Sequence, residues 1–143
     1  DQITYYFDCD EDLRIQKNNS HSKIWLKKGK IHNEHREELE IKFKKEDFET
    51  LENLFLYLGY KVDIKWFRNR HSFKWDDINV MLDNTKGYGY IIELEKISTD
   101  KDKKKILKML KEKLKSLNIE LTPKEEFDKK FNHYKKNWMN LVK

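Results

Sequence analysis

The sequence holds one cysteine, one proline and four glycines in 143 residues, and each shortage removes an option. Cys9 alone cannot close an intramolecular disulfide, so the fold cannot rest on a disulfide framework and the expected setting is a reducing cytoplasm. Nor does Cys9 stand at metal-ligand spacing from His21, His32, His35, His71 or His133, which leaves no zinc-site pattern. With no linker rich in Pro, Gly or Ser and no repeat at a fixed period, residues 1–143 read as one domain. Apolar runs fall far short of the roughly 20 residues needed to cross a bilayer, so no membrane partner is expected. Asp1 to Phe7 lacks the basic and apolar regions of a signal peptide.

Charge is what the sequence has in plenty. Charged residues make up 40% and hydrophobic ones only 37%, a balance that goes with disorder when aromatics are few. They are not few: Phe, Tyr and Trp reach 13% and fall within strand and helix patterns. The net charge of +5 favours an anionic partner without specifying which anion.

Period-two alternation and turn residues predict strands at Ile3–Phe7, Leu13–Lys17, Lys23–Lys28 and Glu34–Lys44. A helix over Glu46–Leu58 follows, with Phe48, Leu51, Leu54, Phe55 and Leu58 on one stripe and Gly59 as its cap. Strands resume at Lys61–Phe67, Arg68–Lys74, Ile78–Leu82 and Tyr90–Ile97. Helices are predicted over Asp100–Leu117 and from a capping box at Thr122, Pro123 and Glu125, the last with Phe127, Phe131, Tyr134 and Trp138 inward. The fold class is therefore α+β.

Residues two apart in a strand share a face, and on that rule charges keep landing together. Arg14 lies with Gln16, Lys23 with Trp25 and Lys27, Arg36 with Glu38, Glu40 and Lys42, Arg68 with Arg70, and Glu93 with Glu95. The opposite rows, Leu13 and Ile15, Ile24 and Leu26, Leu39, Ile41 and Phe43, and Tyr90, Ile92 and Leu94, read as the core under the helices. One reading of the charged rows is the solvated side of an open antiparallel sheet. The other is a shared cavity in which cations hold phosphate oxygens and carboxylates hold a divalent metal, favoured by arginines and glutamates that recur in pairs.

These residues resemble the CYTH family of triphosphate tunnel enzymes over most of the chain. Tyr6-Phe7-Asp8 and Leu13-Arg14-Ile15-Gln16 are similar to the family's hairpin, with Gln16 in place of a second arginine. Ile24-Trp25-Leu26-Lys27 resembles its lysine strand, and Arg36-Glu37-Glu38-Leu39-Glu40 its Arg-x-Glu-x-Glu strand. Arg68-Asn69-Arg70 with Phe73 matches its basic pair. Leu82-Asp83, Gly87, Gly89 and Tyr90-Ile91-Ile92-Glu93-Leu94-Glu95 match its closing segment. The family's opening Glu-x-Glu-x-Lys strand has no counterpart, so the expected domain lacks the first strand.

The resemblance implies an antiparallel β-barrel of about eight strands, a triphosphate tunnel, with helices packed outside. It implies that Arg14, Lys27, Arg36, Arg68 and Arg70 hold a triphosphate and that Glu38, Glu40, Asp83, Glu93 and Glu95 arrange Mg2+ or Mn2+, with Glu38, Glu93 and Arg70 catalytic. The implied activity is hydrolysis of inorganic, nucleoside or thiamine triphosphate, by a monomer or homodimer. Formation of cyclic AMP from ATP is the alternative, and a non-catalytic module for nucleotide or polyphosphate is a third reading. Nucleic acid is not the expected partner, because glutamates interleaved with the arginines repel a continuous phosphate backbone. Lys101–Lys115 reads as a solvated basic helix. Trp25, Trp66 and Trp75 either stack on a base or pack on the sheet.

Overall fold

The computed structural model describes residues 1–29 and 36–143. Four strands, β1 (Gln2–Phe7), β2 (Asp12–Lys17), β3 (His21–Lys27) and β4 (Glu38–Lys44), lead through a short 3-10 turn at Lys45–Asp47 into α1 (Phe48–Tyr57). Then come β5 (Val62–Trp75), β6 (Ile78–Thr85), β7 (Gly89–Glu95), α2 (Lys103–Ser116) and α3 (Lys124–Leu141). All strand pairs are antiparallel, in one sheet ordered β4-β3-β2-β1-β5-β6-β7.

Two expectations need correction. The sheet is open, not a closed barrel, because β4 and β7 stand at opposite ends of the order and do not pair with each other. Its seven strands replace the expected eight because Val62–Trp75 runs as one strand of 14 residues, without a break between Phe67 and Arg68. The start expected for the fourth strand, Glu34 and His35, lies with His32 outside the described residues.

The alternation of side chains sorts the sheet into two faces, each covered by a different helix. On one face Phe7 and Ile15 pack with Phe48, Leu51 and Phe55 of α1, and Ile3, Tyr5, Leu13, Ile24, Phe43 and Val62 fill in around them. The helix ends at Leu58 with Gly59 at φ 91°. Tyr60 N–H reaches Phe55 O and Gly59 N–H reaches Leu56 O, a Schellman stop that needs the left-handed residue a glycine supplies. Leu54 and Leu58, placed on the inner stripe by periodicity, are exposed.

The other face is apolar at one end only. There Ile64 and Trp66 of β5 meet Tyr88 and the α3 residues Phe131 and Tyr134, with Tyr6, Ile91 and Trp138 beside them. Two hydrogen bonds tie α3 to the backbone of β5: Tyr134 OH donates to Lys65 O at 2.9 Å and Trp138 Nε1 to Asp63 O at 3.1 Å. Helix α3 starts at Lys124 without a side-chain cap bond, so the predicted capping box does not form. Helix α2 lies against β7, and its Lys113 Nζ sits 4.1 Å above the Trp75 ring. Among the described residues no helix is long and apolar enough to cross a membrane.

The apolar rows become core only where a helix covers them. Leu39 and Ile41 of β4 remain 55% and 62% exposed, and Tyr90 of β7 is 83% exposed. Edge rows alternate like core rows, yet nothing among the described residues buries these three side chains.

Burial pushes the phenols of Tyr88 and Tyr134 up to about 12, helped by the nearby Tyr6. A phenol whose folded value lies above its ordinary value of 10.0 adds stability that is fully present below pH 10 and disappears as pH rises toward 12. Spectrophotometric titration should therefore show two of the seven tyrosines ionising last, together with alkaline unfolding. Replacing both with Phe should flatten the loss of stability between these pH values.

Candidate functional site

Strand register decides which side chains meet. Paired residues share a face, so Glu40, Trp25, Arg14, Tyr6 and Ile64 form one line across β4, β3, β2, β1 and β5. Gln16, Thr4 and Trp66 form a second line, and Gln2, Arg68 and Thr85 a third. Arg70 pairs with Asp83, and Met81 with Glu93. The charged rows thus occupy the same face as α3, beyond the patch that the helix covers.

Two clusters organise this face, each built on a buried aspartate. In the first, Asp12 accepts Arg14 Nε at 2.6 Å and Arg14 Nη2 at 2.5 Å, and it accepts Arg36 Nη2 as well. The Arg14 guanidinium carbon sits over the Tyr6 ring, 4.4 Å from its centre, and 5.4 Å from that of Trp25. Arg36 precedes β4 and anchors to Lys27 O at 3.1 Å. In the second, the Asp83 carboxylate, fully buried, takes Arg70 Nε and Nη2, both at 2.6 Å, and Arg68 Nη1 at 3.0 Å. Arg70 Nη2 also reaches Glu93 at 2.9 Å, and Arg68 Nε reaches Gln2 at 2.8 Å.

Neutral groups separate the clusters. Gln16, in the place where the sequence suggested a lost arginine, donates to Thr4 Oγ1 at 2.9 Å and to Gln2 Oε1 at 3.2 Å. Arg14 nonetheless feels the Glu93 carboxylate of β7, four places along the sheet order. An open cleft of about 440 Å³ at the strand ends is lined by Ile3, Phe67, Asn69 and Asn84 of the α1 face together with Gln2 and Arg68, so it is not a pocket of the charged face.

Burial works against the Asp12 carboxylate, but hydrogen bonds and charge from Arg14, with those of Arg36, outweigh it and hold its pKa below the ordinary 3.8. Burial lowers Arg70 while its hydrogen bonds to Asp83 and the Glu93 charge more than reverse it. For Arg68, burial and then the neighbouring Arg70 charge win, and its pKa falls. A guanidinium stays protonated all the same, so the lowered value reflects first the cost of burying the Arg68 charge and then its repulsion by Arg70.

The other predicted residues lie toward the sheet edges. Lys27 is ion-paired with Glu38, and Glu40 with Lys23 at 2.7 Å and Lys42 at 3.8 Å. Glu93 and Glu95 are exposed on β7, at the opposite end of the sheet from Glu38 and Glu40. Among the described residues no three His, Cys, Asp or Glu side chains come together to hold a metal ion. Four of the five carboxylates expected to bind Mg2+ or Mn2+, namely Glu38, Glu40, Asp83 and Glu93, are ion-paired with lysine or arginine. Trp66 and Trp75 pack against α3 and α2, and Trp25 packs under Lys23 and Arg14.

Sequence reading missed Asp12, which stands just before the strand expected at Leu13–Lys17. Its signal was position: it stands two residues before Arg14 and so on the same face. Gln2 and Thr4 were missed because uncharged polar residues do not stand out in an alternating strand.

The CYTH domain model matches residues 1–131. A candidate adenylate cyclase of Methanocaldococcus jannaschii is 36% identical over 115 residues, covering 78% of this chain; the chain spans 65% of that relative's length. A conserved hypothetical protein of Pyrococcus furiosus has a similar structure, with TM-score 0.68 at 24% identity, over 87% of this chain and 76% of the other. A structure described as a candidate adenylate cyclase of Vibrio parahaemolyticus aligns at TM-score 0.70 and 12% identity, over 83% and 71% of the two chains, a likeness of fold alone.

Removing one member of a buried ion cluster strands the others, at about 3–5 kcal/mol. Asp83→Asn should therefore lower unfolding stability by about that amount in urea titrations, while Glu93→Gln, at the exposed rim, should cost under about 1 kcal/mol. Asp12 has a folded pKa below its ordinary value, so its contribution is present above pH 3.8 and is lost as pH falls through the folded value. Acid unfolding of Asp12→Asn should lack that component, and its stability should match wild type more closely at the lowest pH than at neutrality.

Proposed function

This chain belongs to the CYTH domain family, and from that premise we propose that it binds a nucleoside triphosphate by its phosphate chain and closes ATP to cyclic AMP. The observation that carries the binding is the gathering of Arg14, Arg36, Arg68 and Arg70 on one face of the sheet, each hydrogen-bonded to a buried aspartate. Planar forks fixed in this way match phosphate oxygens and lose little freedom on binding. Support comes from the polar atoms that find no partner. The buried side-chain atoms without a hydrogen bond among the described residues are Trp25 Nε1, Trp66 Nε1 and Thr85 Oγ1, and register puts all three residues on this face.

In cyclisation the ribose 3′-oxygen attacks the α-phosphorus, the bond from that phosphorus to the bridging oxygen breaks, and pyrophosphate leaves with the electron pair. The 3′ proton passes to solvent. Negative charge gathers on the departing pyrophosphate, so cations positioned beforehand lower the barrier. Arg68 and Arg70 take the leaving group in this reading, and Arg14, Lys27 and Arg36 the remainder of the chain. Glu93 keeps Arg70 turned toward the face, and Glu38 does the same for Lys27. The cyclase chemistry, in preference to hydrolysis, rests on the likeness to the Methanocaldococcus relative.

The test is to incubate the full-length protein with ATP or with tripolyphosphate, with Mg2+ or Mn2+ supplied, and to measure cyclic AMP, pyrophosphate and orthophosphate. Equal amounts of cyclic AMP and pyrophosphate are expected from ATP, falling about 100-fold or more in Arg70→Ala. Orthophosphate without cyclic AMP would replace cyclisation by hydrolysis, and absence of both turnover and ATP binding would remove the reading.

A further inference from the structure

Charge is shared unevenly between α2 and the remainder of the molecule. Of the 31 basic and 26 acidic residues, α2 holds seven lysines and the single acid Glu112, which leaves 24 and 25 for everything else. Elsewhere lysines are matched one by one: Lys23 is paired with Glu40, Lys65 with Glu52 and Lys96 with Asp77. On α2, Lys104, Lys105 and Lys115 form no ion pair among the described residues, and Lys108 meets Glu112 at 3.9 Å with both side chains largely exposed.

The arrangement works against the helix itself. Spacing of i, i+4, i+7 and i+11 sets Lys104, Lys108, Lys111 and Lys115 in one exposed line, and like charges so spaced repel and weaken a helix. The first turn holds Lys103, Lys104 and Lys105 and no acid, so three cations stand at the positive end of the helix dipole, where cations are unfavourable. The apolar side, Ile106, Leu107, Leu110 and Leu114, is half-buried, and Lys113 folds back over Trp75 and onto Asp76 at 3.0 Å. Packing thus accounts for one side of α2 and leaves the lysine line without a role in the fold.

We propose that this lysine line binds the phosphate backbone of duplex DNA. Side-chain chemistry narrows the partner. Helix α2 contains no arginine, and lysine is a point charge without the flat fork that reads guanine edges. It also contains no aromatic residue on which an unpaired base could stack. What remains is attraction to charge repeated along a line. From Lys104 to Lys115 the helix rises about 16 Å, a length over which duplex DNA presents about ten phosphates. An anionic membrane suits the helix less, because interfacial helices bury their apolar face among lipids and that of α2 is turned to the protein. The glutamates that repel a phosphate backbone on the arginine face do not interfere. Trp75 lies an odd number of positions from Arg70 on the unbroken β5, so the side chain that α2 covers points to the opposite side of the sheet.

Fluorescence anisotropy of a labelled duplex of mixed sequence, titrated with the full-length protein from about 50 to about 200 mM salt, tests the proposal. Affinity should fall about a hundredfold over that range, since four neutralised phosphates give a slope of about −3.6 in log affinity against log salt. Lys104→Gln combined with Lys108→Gln removes two contacts, and should weaken binding about tenfold at the lower salt and bring the slope to about −1.8. Glutamine matches lysine in helix preference, so circular dichroism should show the helix intact. Lys135→Gln, on α3 and paired with Asp63, should leave affinity and slope unchanged. Overturning results are no binding at about 50 mM salt with protein up to about 0.1 mM, a slope that the double variant does not alter, or retention on phosphatidylserine vesicles without binding to the duplex. Loss of duplex binding in folded Arg70→Ala, with the double variant unaffected, would move the DNA to the arginine face and overturn the proposal as well.

Discussion

The structure depends on keeping cations close together. At an effective dielectric of about 20, two unit charges 4 Å apart repel by about 4 kcal/mol, and this sheet face carries four guanidiniums. Asp12 and Asp83 make the arrangement stable by each accepting two arginines. Both aspartates are buried, so they act where solvent does not screen them. They also set direction: a fork held on its carboxylate cannot swing away, and the N–H groups not used by aspartate point along a fixed line. The uncharged trio Gln2, Thr4 and Gln16 then keeps the two clusters from merging into one overcharged patch.

That face joins two environments on a common set of strands. At one end Ile64, Trp66 and Tyr6 lie under α3; at the other, the arginines are folded onto their aspartates with only 9–13% of each side chain exposed. Tyr6 belongs to both, with Phe131 of α3 at 6.2 Å from its ring centre and Arg14 over the ring at 4.4 Å. The apolar seat of the helix and the orientation of the first arginine cluster therefore share one side chain. The opposite face is conventional core where α1 covers it and leaves Leu39 and Ile41 of β4 and Tyr90 of β7 exposed beyond.

Much of this was legible in the sequence, since alternation reports which residues share a face. The rows Arg14 with Gln16, Lys23 with Lys27, Arg68 with Arg70, and Glu93 with Glu95 stand as the period of two requires. Helix α1 and its Gly59 stop followed from local signals as well. Closure of the sheet was not legible, because alternation within a strand carries no record of which strands pair at a distance. The unbroken β5 was split in reading because Arg68 changes the composition without changing the backbone. Leu39 and Ile41 were taken for core since an apolar row looks the same whether or not a helix covers it. Asp12 was missed because it stands one residue before the strand expected at Leu13–Lys17, although the observed strand begins with it.

The length of β5 works as a ruler. Trp66, seated under α3, and Arg68, bound to Asp83, are two residues apart on one unbroken strand, a spacing of about 6.6 Å that backbone geometry fixes. A single residue inserted between them would carry Arg68 and Arg70 through the sheet to the side of α1. The loops can therefore gain or lose residues in descendants of this chain with small effect, whereas the count along β5 is heritable only in steps of two, and each such step shifts the arginines by a whole repeat away from their aspartate.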